Sequence, residues 1–179
     1  MVNNPIGVMY VEHDIIKQTE QIIGNCKDLW EKDTTAYAEI VEQLIVFFRE
    51  YADGYHHRKE EEVLFIAIKD HPDFVLQEII DELEQHHVSF RDYVKEIEEA
   101  LTEKEFQKSY NVLREYSNDL LDHIAAENDE LFVLAETLLE EGDLETIFFK
   151  FKDIDMELGE ERKAELEQYP KQLLEGLSV

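Results

Sequence analysis

The sequence predicts an all-α protein, an up-down-up-down four-helix bundle with an additional C-terminal helix. Apolar residues recur at steps of three and four along most of the chain, which is the spacing of one helical face, and no segment alternates with period two. Only six Gly and three Pro occur in 179 residues, so the chain has few places to turn. Long amphipathic helices joined by short turns are typical of antiparallel bundles.

The helix boundaries follow from capping residues and helix breakers. Asn4 caps the first helix, with Pro5 at its first position, where a missing backbone N–H costs nothing. Thr102 and Glu105 have the spacing of a capping box at the start of the fourth helix. Asp143 caps the fifth helix. The predicted helices span about residues 5–31, 34–69, 72–101, 102–142 and 143–170.

Residues 143–179 are predicted to form a C-terminal helical extension to the bundle of residues 1–142. The apolar row of this extension is Ile147, Phe151, Ile154 and Leu158. Such a row needs a surface to cover it. The extension therefore either packs on the bundle or forms a homodimer interface through this helix.

Charge and composition exclude several classes of partner. The net charge is −27, from 17 Lys and Arg against 44 Asp and Glu, which disfavours nucleic acid and anionic membranes. No apolar run approaches the ~18 residues of a membrane span. The N-terminal residues lack the basic head and apolar core of a signal peptide, so a cytoplasmic location is expected. Cys26 is the single cysteine, so any bound metal must be held by nitrogen and oxygen.

Polar residues interrupt the apolar row of every predicted bundle helix. The first and third rows each contain one histidine, and the second and fourth each contain a His and a Glu four residues apart. Positions i and i+4 lie on one helical face, so each such pair presents two side chains together. The six polar members are His13, His56, Glu60, His87, His123 and Glu127.

Burying these six side chains without partners would destabilise the bundle, because an unpaired buried carboxylate costs several kcal/mol and a neutral imidazole somewhat less. A metal ion would satisfy them all. The chain also contains a pseudo-repeat: HHRKEEEVLF from residue 56 and HIAAENDELF from residue 123 share His, Glu, Leu and Phe at the same offsets. Each half thus supplies a lone histidine followed by an HxxxE helix, which predicts two metal ions bridged by the glutamates.

Four segments resemble the haemerythrin-like HHE cation-binding family: EHD at 12–14, HHRKEEEVLF at 56–65, QHHVSFR at 85–91 and HIAAENDELF at 123–132. The order H, HxxxE, H, HxxxE carries the resemblance over about residues 5–140. It implies a four-helix fold and a non-haem, carboxylate-bridged site for two iron ions, with zinc or manganese as substitutes. It assigns as metal ligands the same six residues that interrupt the apolar rows.

Two related classes of protein fit less well. Oxygen-carrying haemerythrins have an HxxxH pair on the third helix and an aspartate in the fourth-helix motif. Here Leu83 and Arg91 stand four residues either side of His87, and the fourth-helix carboxylate is Glu127, which argues against simple reversible oxygen carriage. Ferritin-like bundles use a Glu-x-x-His pair on each of two helices, and Glu84 with His87 is the single such pair in the sequence.

Two histidine doublets require a choice of ligand. His57 shares its helical face with polar residues expected to face solvent, so His56 is favoured. His87 lies on the apolar row and His86 lies beside it. Arg91, four residues after His87, matches the arginine usual in the family. His56 and His87 are the expected ligands, with His57 and His86 kept as alternatives.

The expected function is the binding or sensing of dioxygen, nitric oxide or a related small ligand at an open iron position. Five apolar residues are expected to wall the pocket: Met9, Ile16, Phe48, Phe90 and Leu120. Tyr10 and Tyr116 are expected to donate a hydrogen bond to the ligand. The alternative is a di-iron enzyme of oxidative or nitrosative stress, which reduces peroxide or nitric oxide or repairs iron–sulfur clusters. The sequence assigns no catalytic residue and does not decide between binder and enzyme.

Overall fold

A computed structural model describes residues 4–177, which are helical with no β-strand in that range. The predicted all-α class is confirmed. The α-helices are α1 (Pro5–Ile16), α2 (Thr19–Asn25), α3 (Leu29–Lys32), α4 (Thr34–Phe47), α5 (Phe65–Lys69), α6 (Gln77–Thr102), α7 (Phe106–Ala126), α8 (Phe132–Leu138), α9 (Glu141–Leu158) and α10 (Glu160–Leu177). Three π-helical segments lie between them, at Phe48–His57, Glu60–Leu64 and Glu127–Leu131.

The first predicted helix begins as expected but does not continue to residue 31. The Asn4 side chain accepts a hydrogen bond from the Gly7 backbone N–H at 3.1 Å, and Pro5 opens α1. The chain then leaves the helix after Ile16 and again after Asn25. Asp28 has a φ of 58°, a left-handed conformation that a right-handed helix cannot include. The prediction of one helix here was wrong, and three shorter helices take its place.

The second predicted helix has the expected ends. The Asp33 side chain accepts a hydrogen bond from the Ala36 N–H at 2.9 Å and caps α4, and the helical run ends at Lys69. Between these ends the backbone is π-helical over most of residues 48–64. A π-helix bonds each N–H to the carbonyl five residues back, so each turn holds an extra residue. A Cβ added to Gly54 would lie 3.0 Å from the carbonyl oxygen of Arg49, five residues earlier. Glycine avoids this close contact because it has no Cβ.

The third and fourth predicted helices start later than expected. Pro72 lies in a turn, and α6 begins at Gln77. Thr102 ends α6, and its hydroxyl donates to the carbonyl of Glu98 at 2.8 Å, so the capping box predicted at Thr102 was wrong. Lys104 has a φ of 61°, which stops the helix before α7 begins.

The predicted fifth helix is two helices, α9 and α10, separated by Gly159 with a φ of 86°. A capping box formed by Glu140 and Asp143 starts α9. Helix α9 packs against α1 and against the π-helical segments Phe48–His57 and Glu60–Leu64. Helix α10 packs against α2 and α4. Ile147 and Phe151 are buried in these contacts. This chain's own bundle thus covers the apolar row. The division of the chain at residue 142 and the homodimer stay predictions.

The core runs along the bundle between α4, α6 and α7, with α1 and α2 packed beside them. Helix α6 lies along α7, α4 packs on α6, and α2 packs on α7. The order in which the long helices run up and down stays a prediction. Among residues 4–177, no helix combines the length and apolar composition that crossing a membrane requires.

Candidate metal centre

A layer of buried polar side chains lies inside this apolar core. All six residues that the sequence singled out are at most 1 % exposed: His13, His56, Glu60, His87, His123 and Glu127. They come from α1, α6, α7 and the π-helical segments. Each HxxxE pair ends at the start of a π-helical segment, with Glu60 and Glu127 as the first residues. Segments of this kind are rare and recur at functional sites.

The first cluster comprises His13, His56, Glu60 and Glu127, whose potential ligand atoms lie within 4.8 Å of one another. The Nε2 of His13 lies 3.2 Å from Oε2 of Glu127, and the Nε2 of His56 lies 3.4 Å from Oε1 of Glu60. None of these atoms makes an aligned hydrogen bond. The orphaned buried atoms are His13 Nε2, His56 Nε2 and both carboxylate oxygens of Glu60 and of Glu127.

The second cluster comprises His57, Glu60, His87 and His123, again with ligand atoms within 4.8 Å. The Nε2 atoms of His87 and His123 are 3.1 Å apart, and Oε2 of Glu60 lies 3.5 Å from His87 Nε2. Glu60 therefore belongs to both clusters, with Oε1 directed at His56 and Oε2 at His87. Glu127 also lies between the two, with Oε2 3.3 Å from His123 Nε2.

His57 is a residue that the sequence interpretation misplaced. It was expected to face solvent, but it is only 2 % exposed, and its ring stacks on His87 with centroids 3.9 Å apart. The expectation assumed α-helical spacing, whereas His57 closes a π-helical segment in which adjacent residues are turned less far apart. Both members of the doublet consequently face inward. Gly54, isolated in an otherwise regular helical pattern, was the available signal.

In the other doublet, His87 belongs to the second cluster and His86 to neither. The Nδ1 of His86 lies 3.3 Å from Nδ1 of His123, on the side facing away from the cluster. His71 lies in the turn after α5 and belongs to neither cluster.

The other histidines of the two clusters present Nδ1 to a hydrogen-bond acceptor. The acceptors are Asn128 for His13 at 2.8 Å, Glu12 for His56 at 2.9 Å, Asp53 for His57 at 3.3 Å and Glu61 for His87 at 2.8 Å. A proton on Nδ1 leaves Nε2 with its lone pair, and the Nε2 atoms of His13, His56 and His87 face the clusters. Hydrogen-bond acceptors behind metal-binding histidines fix the tautomer and orientation of the ring.

Burial keeps three of the histidines in the neutral form that binds metal. It lowers the pKa of His56 to about 4 and that of His123 to about 3, and it lowers the pKa of His57 well below its usual value. Burial and the Glu127 carboxylate raise the pKa of Glu60 well above its usual range. Burial would also raise the pKa of Glu127, but His123 and His13 outweigh it and lower that pKa. Without metal, the carboxylate pair therefore holds one proton, on Glu60.

The donor set suits a divalent metal. It offers imidazole nitrogen and carboxylate oxygen, which iron, zinc and manganese accept, and Cys26 does not belong to either cluster. A cation would satisfy the orphaned atoms, and its positive charge would allow the Glu60 and Glu127 carboxylates to be ionised next to each other. Metal–imidazole bonds of ~2.0–2.1 Å place adjacent ligand atoms about 3 Å apart. The two Nε2 atoms of His87 and His123 have that separation.

A pocket of about 140 Å³ borders the second cluster. His57 lines it, together with Phe48, Arg49, Asp53, Phe90, Arg91, Val94 and Tyr116. Of the five residues expected to wall the pocket, Phe48 and Phe90 line it, whereas Met9, Ile16 and Leu120 do not. Tyr10 does not contribute to the pocket, since its hydroxyl donates to the carbonyl of Asn128 at 3.1 Å.

A known family matches most of the chain. Residues 4–135 match the model of the hemerythrin HHE cation binding domain. Neither a search of curated proteins nor a search of solved structures found a match to the chain. The matched range contains every member of both clusters and covers most of the chain. The chain belongs to the haemerythrin HHE cation-binding family.

Proposed function

We propose that this protein holds two iron ions, one at each cluster with Glu60 between them, and binds dioxygen, nitric oxide or a related small ligand there. The observation that carries the proposal is the set of six buried, orphaned ligand atoms. All six belong to residues of the first cluster, which shares the Glu60 carboxylate with the second. Leaving so many polar atoms unsatisfied in a packed core is costly, and two cations remove that cost.

The proposed ligands are the six residues expected from the sequence together with His57. Two histidines and two carboxylates would hold the first ion: His13, His56, Glu60 and Glu127. Three histidines and the shared carboxylate would hold the second: His57, His87, His123 and Glu60. His57 supplies the third imidazole of the second cluster, to which the third predicted helix contributes His87 alone.

Iron bound at the second cluster would supply a redox-active ion with an open position for a small ligand. The protein's part is to orient the imidazoles and control access. Asp53 and Glu61 hold the rings of His57 and His87 through Nδ1, and Arg91 pairs with both carboxylates at 2.8 and 2.7 Å. Phe48 and Phe90 present apolar walls beside His57, which limits the number of water molecules next to the centre.

Metal analysis of iron-reconstituted protein tests the proposal. Two irons per chain are expected, and one or none would contradict a pair bridged by Glu60. Addition of nitric oxide to the anaerobic, iron-loaded protein should change the optical spectrum in proportion to protein concentration. Sustained consumption of peroxide or nitric oxide by the same preparation would instead support the alternative, a di-iron enzyme of oxidative or nitrosative stress.

A further inference from the structure

A lysine is completely buried beside the first cluster. Lys59 is 0 % exposed, and its ammonium group lies 2.6 Å from Oε1 of Glu12 and 2.9 Å from Oδ1 of Asp155. It also lies 3.8 Å from the centre of the Tyr55 ring, a cation–π contact. Buried lysines are rare because desolvating the charge is costly, so the two carboxylates must compensate Lys59.

The lysine joins the metal centre to the C-terminal extension. One oxygen of Glu12 accepts from Lys59, and the other accepts from Nδ1 of His56 at 2.9 Å. Asp155 belongs to α9, and it also accepts a hydrogen bond from the Tyr55 hydroxyl at 2.6 Å. An unbroken series of contacts therefore runs from α9 through Lys59 and Glu12 to His56.

The Asp155 carboxylate stays ionised at neutral pH. Burial opposes its ionisation, yet hydrogen bonds from Lys152, Tyr55 and Lys59 hold its pKa low. At the other end of the series, the Glu12 carboxylate faces Nδ1 of His56, and a carboxylate in that place makes the opposite ring nitrogen a stronger donor to metal.

Helix α9 spans residues 141–158, beyond the residues 4–135 that match the family. The contribution of Asp155 therefore comes from a part of this chain outside the matched domain.

We propose that Asp155 is a positioning residue for the metal at the first cluster, acting through Lys59 and Glu12 on His56. Docking of α9 and metal binding at that cluster then stabilise each other, because a coupling between two binding events is reciprocal. The inference rests on the proposed metal-binding function. Loss of an outer partner of a metal ligand typically weakens metal binding by about 10–100-fold.

The substitution Asp155→Asn removes the negative charge of this side chain and keeps its shape. Asp153→Asn is the matched control, since Asp153 is an exposed residue of the same helix. Anaerobic titration with ferrous iron against a competing chelator should show two ions bound in both variants. One ion should bind about 10–100-fold more weakly in Asp155→Asn than in the control. Equal affinities for both ions in the two variants would overturn the proposal. Asp155→Glu, which retains the charge, should recover part of the lost affinity.

Hydrogen–deuterium exchange provides a readout that needs no variant. Iron loading of the unmodified protein should slow exchange over residues 151–158 of α9 more than over residues 166–177 of α10. The excess protection should persist in Asp153→Asn and disappear in Asp155→Asn. Equal protection of both segments in the unmodified protein would overturn the proposal, even if Asp155→Asn failed to fold. Unmodified protein that bound no iron would overturn the proposed function itself, which is a distinguishable outcome.

Discussion

The first cluster is linked to helix α9 through the buried Lys59, whereas the second cluster borders the pocket beside His57. The carboxylates that accept a hydrogen bond from the histidines also differ in how far they are exposed to solvent. Glu12, behind His56, is almost fully buried, with a side chain 3 % exposed, but Glu61, behind His87, is 29 % exposed. The donors differ too, since two carboxylates serve the first cluster and three histidines serve the second. The two clusters thus form one enclosed half and one accessible half, and we expect ligand exchange at the accessible half.

The largest effect should come from removing the residue that both halves share. Glu60→Gln should abolish binding of both ions, because each cluster loses a carboxylate, while Glu62→Gln, at an exposed position, should retain most of the metal. Metal analysis after iron reconstitution measures this. The metal-free Glu60→Gln protein should also melt at a higher temperature than metal-free unmodified protein, since a neutral amide replaces a carboxyl group that must take up a proton to be buried at neutral pH. Retention of a full ion at either cluster would mean that Glu60 does not connect them.

Replacing His57 should affect one half alone. His57→Ala removes a donor from the second cluster and leaves the first intact, so about one iron per chain should remain. His71→Ala, in the turn outside both clusters, is the control and should retain two. His56→Ala should also leave about one ion, but at the other position. Full metal content in His57→Ala would show that His57 only lines the pocket, and the second cluster would have two histidines.

Acid should destabilise the metal-free protein, because buried histidines of both halves resist protonation. His56, His57 and His123 have lowered pKa values, so between about pH 6.5 and pH 4.5 the unfolded chain binds roughly three more protons at these residues. Glu60 opposes this by one proton, since its raised pKa keeps it protonated in the folded state. A net difference of about two protons lowers the free energy of unfolding by on the order of 3 kcal/mol per pH unit.

Urea unfolding with a chelator present, repeated across that pH range, measures this dependence. Stability that stays constant from pH 6.5 to 4.5 would contradict a neutral, buried set of histidines.

The smallest expected effect concerns the route into the accessible half. Val94 lines the pocket and is 6 % exposed, so Val94→Phe should narrow it. Overpacking of this kind costs about 1–3 kcal/mol of stability. Nitric oxide should bind the loaded variant several-fold more slowly, with two irons retained. Val88→Phe, on the same helix but 46 % exposed, should leave the rate unchanged. Equal rates in the two variants would place the ligand route elsewhere.

Much of the metal centre follows from the sequence, because a polar residue in an apolar helical row must be buried with a partner. That argument located His13, Glu60 and four other buried residues without structural information. It failed for His57, since the row was drawn with α-helical spacing through a π-helical segment. It also missed Lys59, which lies beside the row. Lys59 is buried only because α9, distant in sequence, returns to place Asp155 against it.

Breaks in the helices were harder to predict than the helices themselves. Asp28 and Lys104 have a positive φ, which side chains disfavour and which therefore could not be predicted from these residue types. Gly159 also has a positive φ, but glycine adopts this conformation readily. The capping box was predicted at Thr102 and occurs at Glu140, because a threonine hydroxyl at a helix end can equally bond the preceding turn.

The π-helical segment Phe48–His57 has a consequence for how this protein tolerates changes in chain length. A π-helical turn is equivalent to an α-helical turn with one residue inserted. Deleting Gly54 would let the segment relax into a regular α-helix, so the backbone itself would lose little. The helix on either side would keep its orientation, but adjacent residues inside the segment would be turned about 100° apart instead of by the smaller angle of a π-helix. His56 and His57 could then no longer both face the centre while α4 kept its packing. A deletion that makes this helix regular should therefore weaken metal binding more than many substitutions would. The extra residue of the π-helical segment is needed to direct both histidines at the centre.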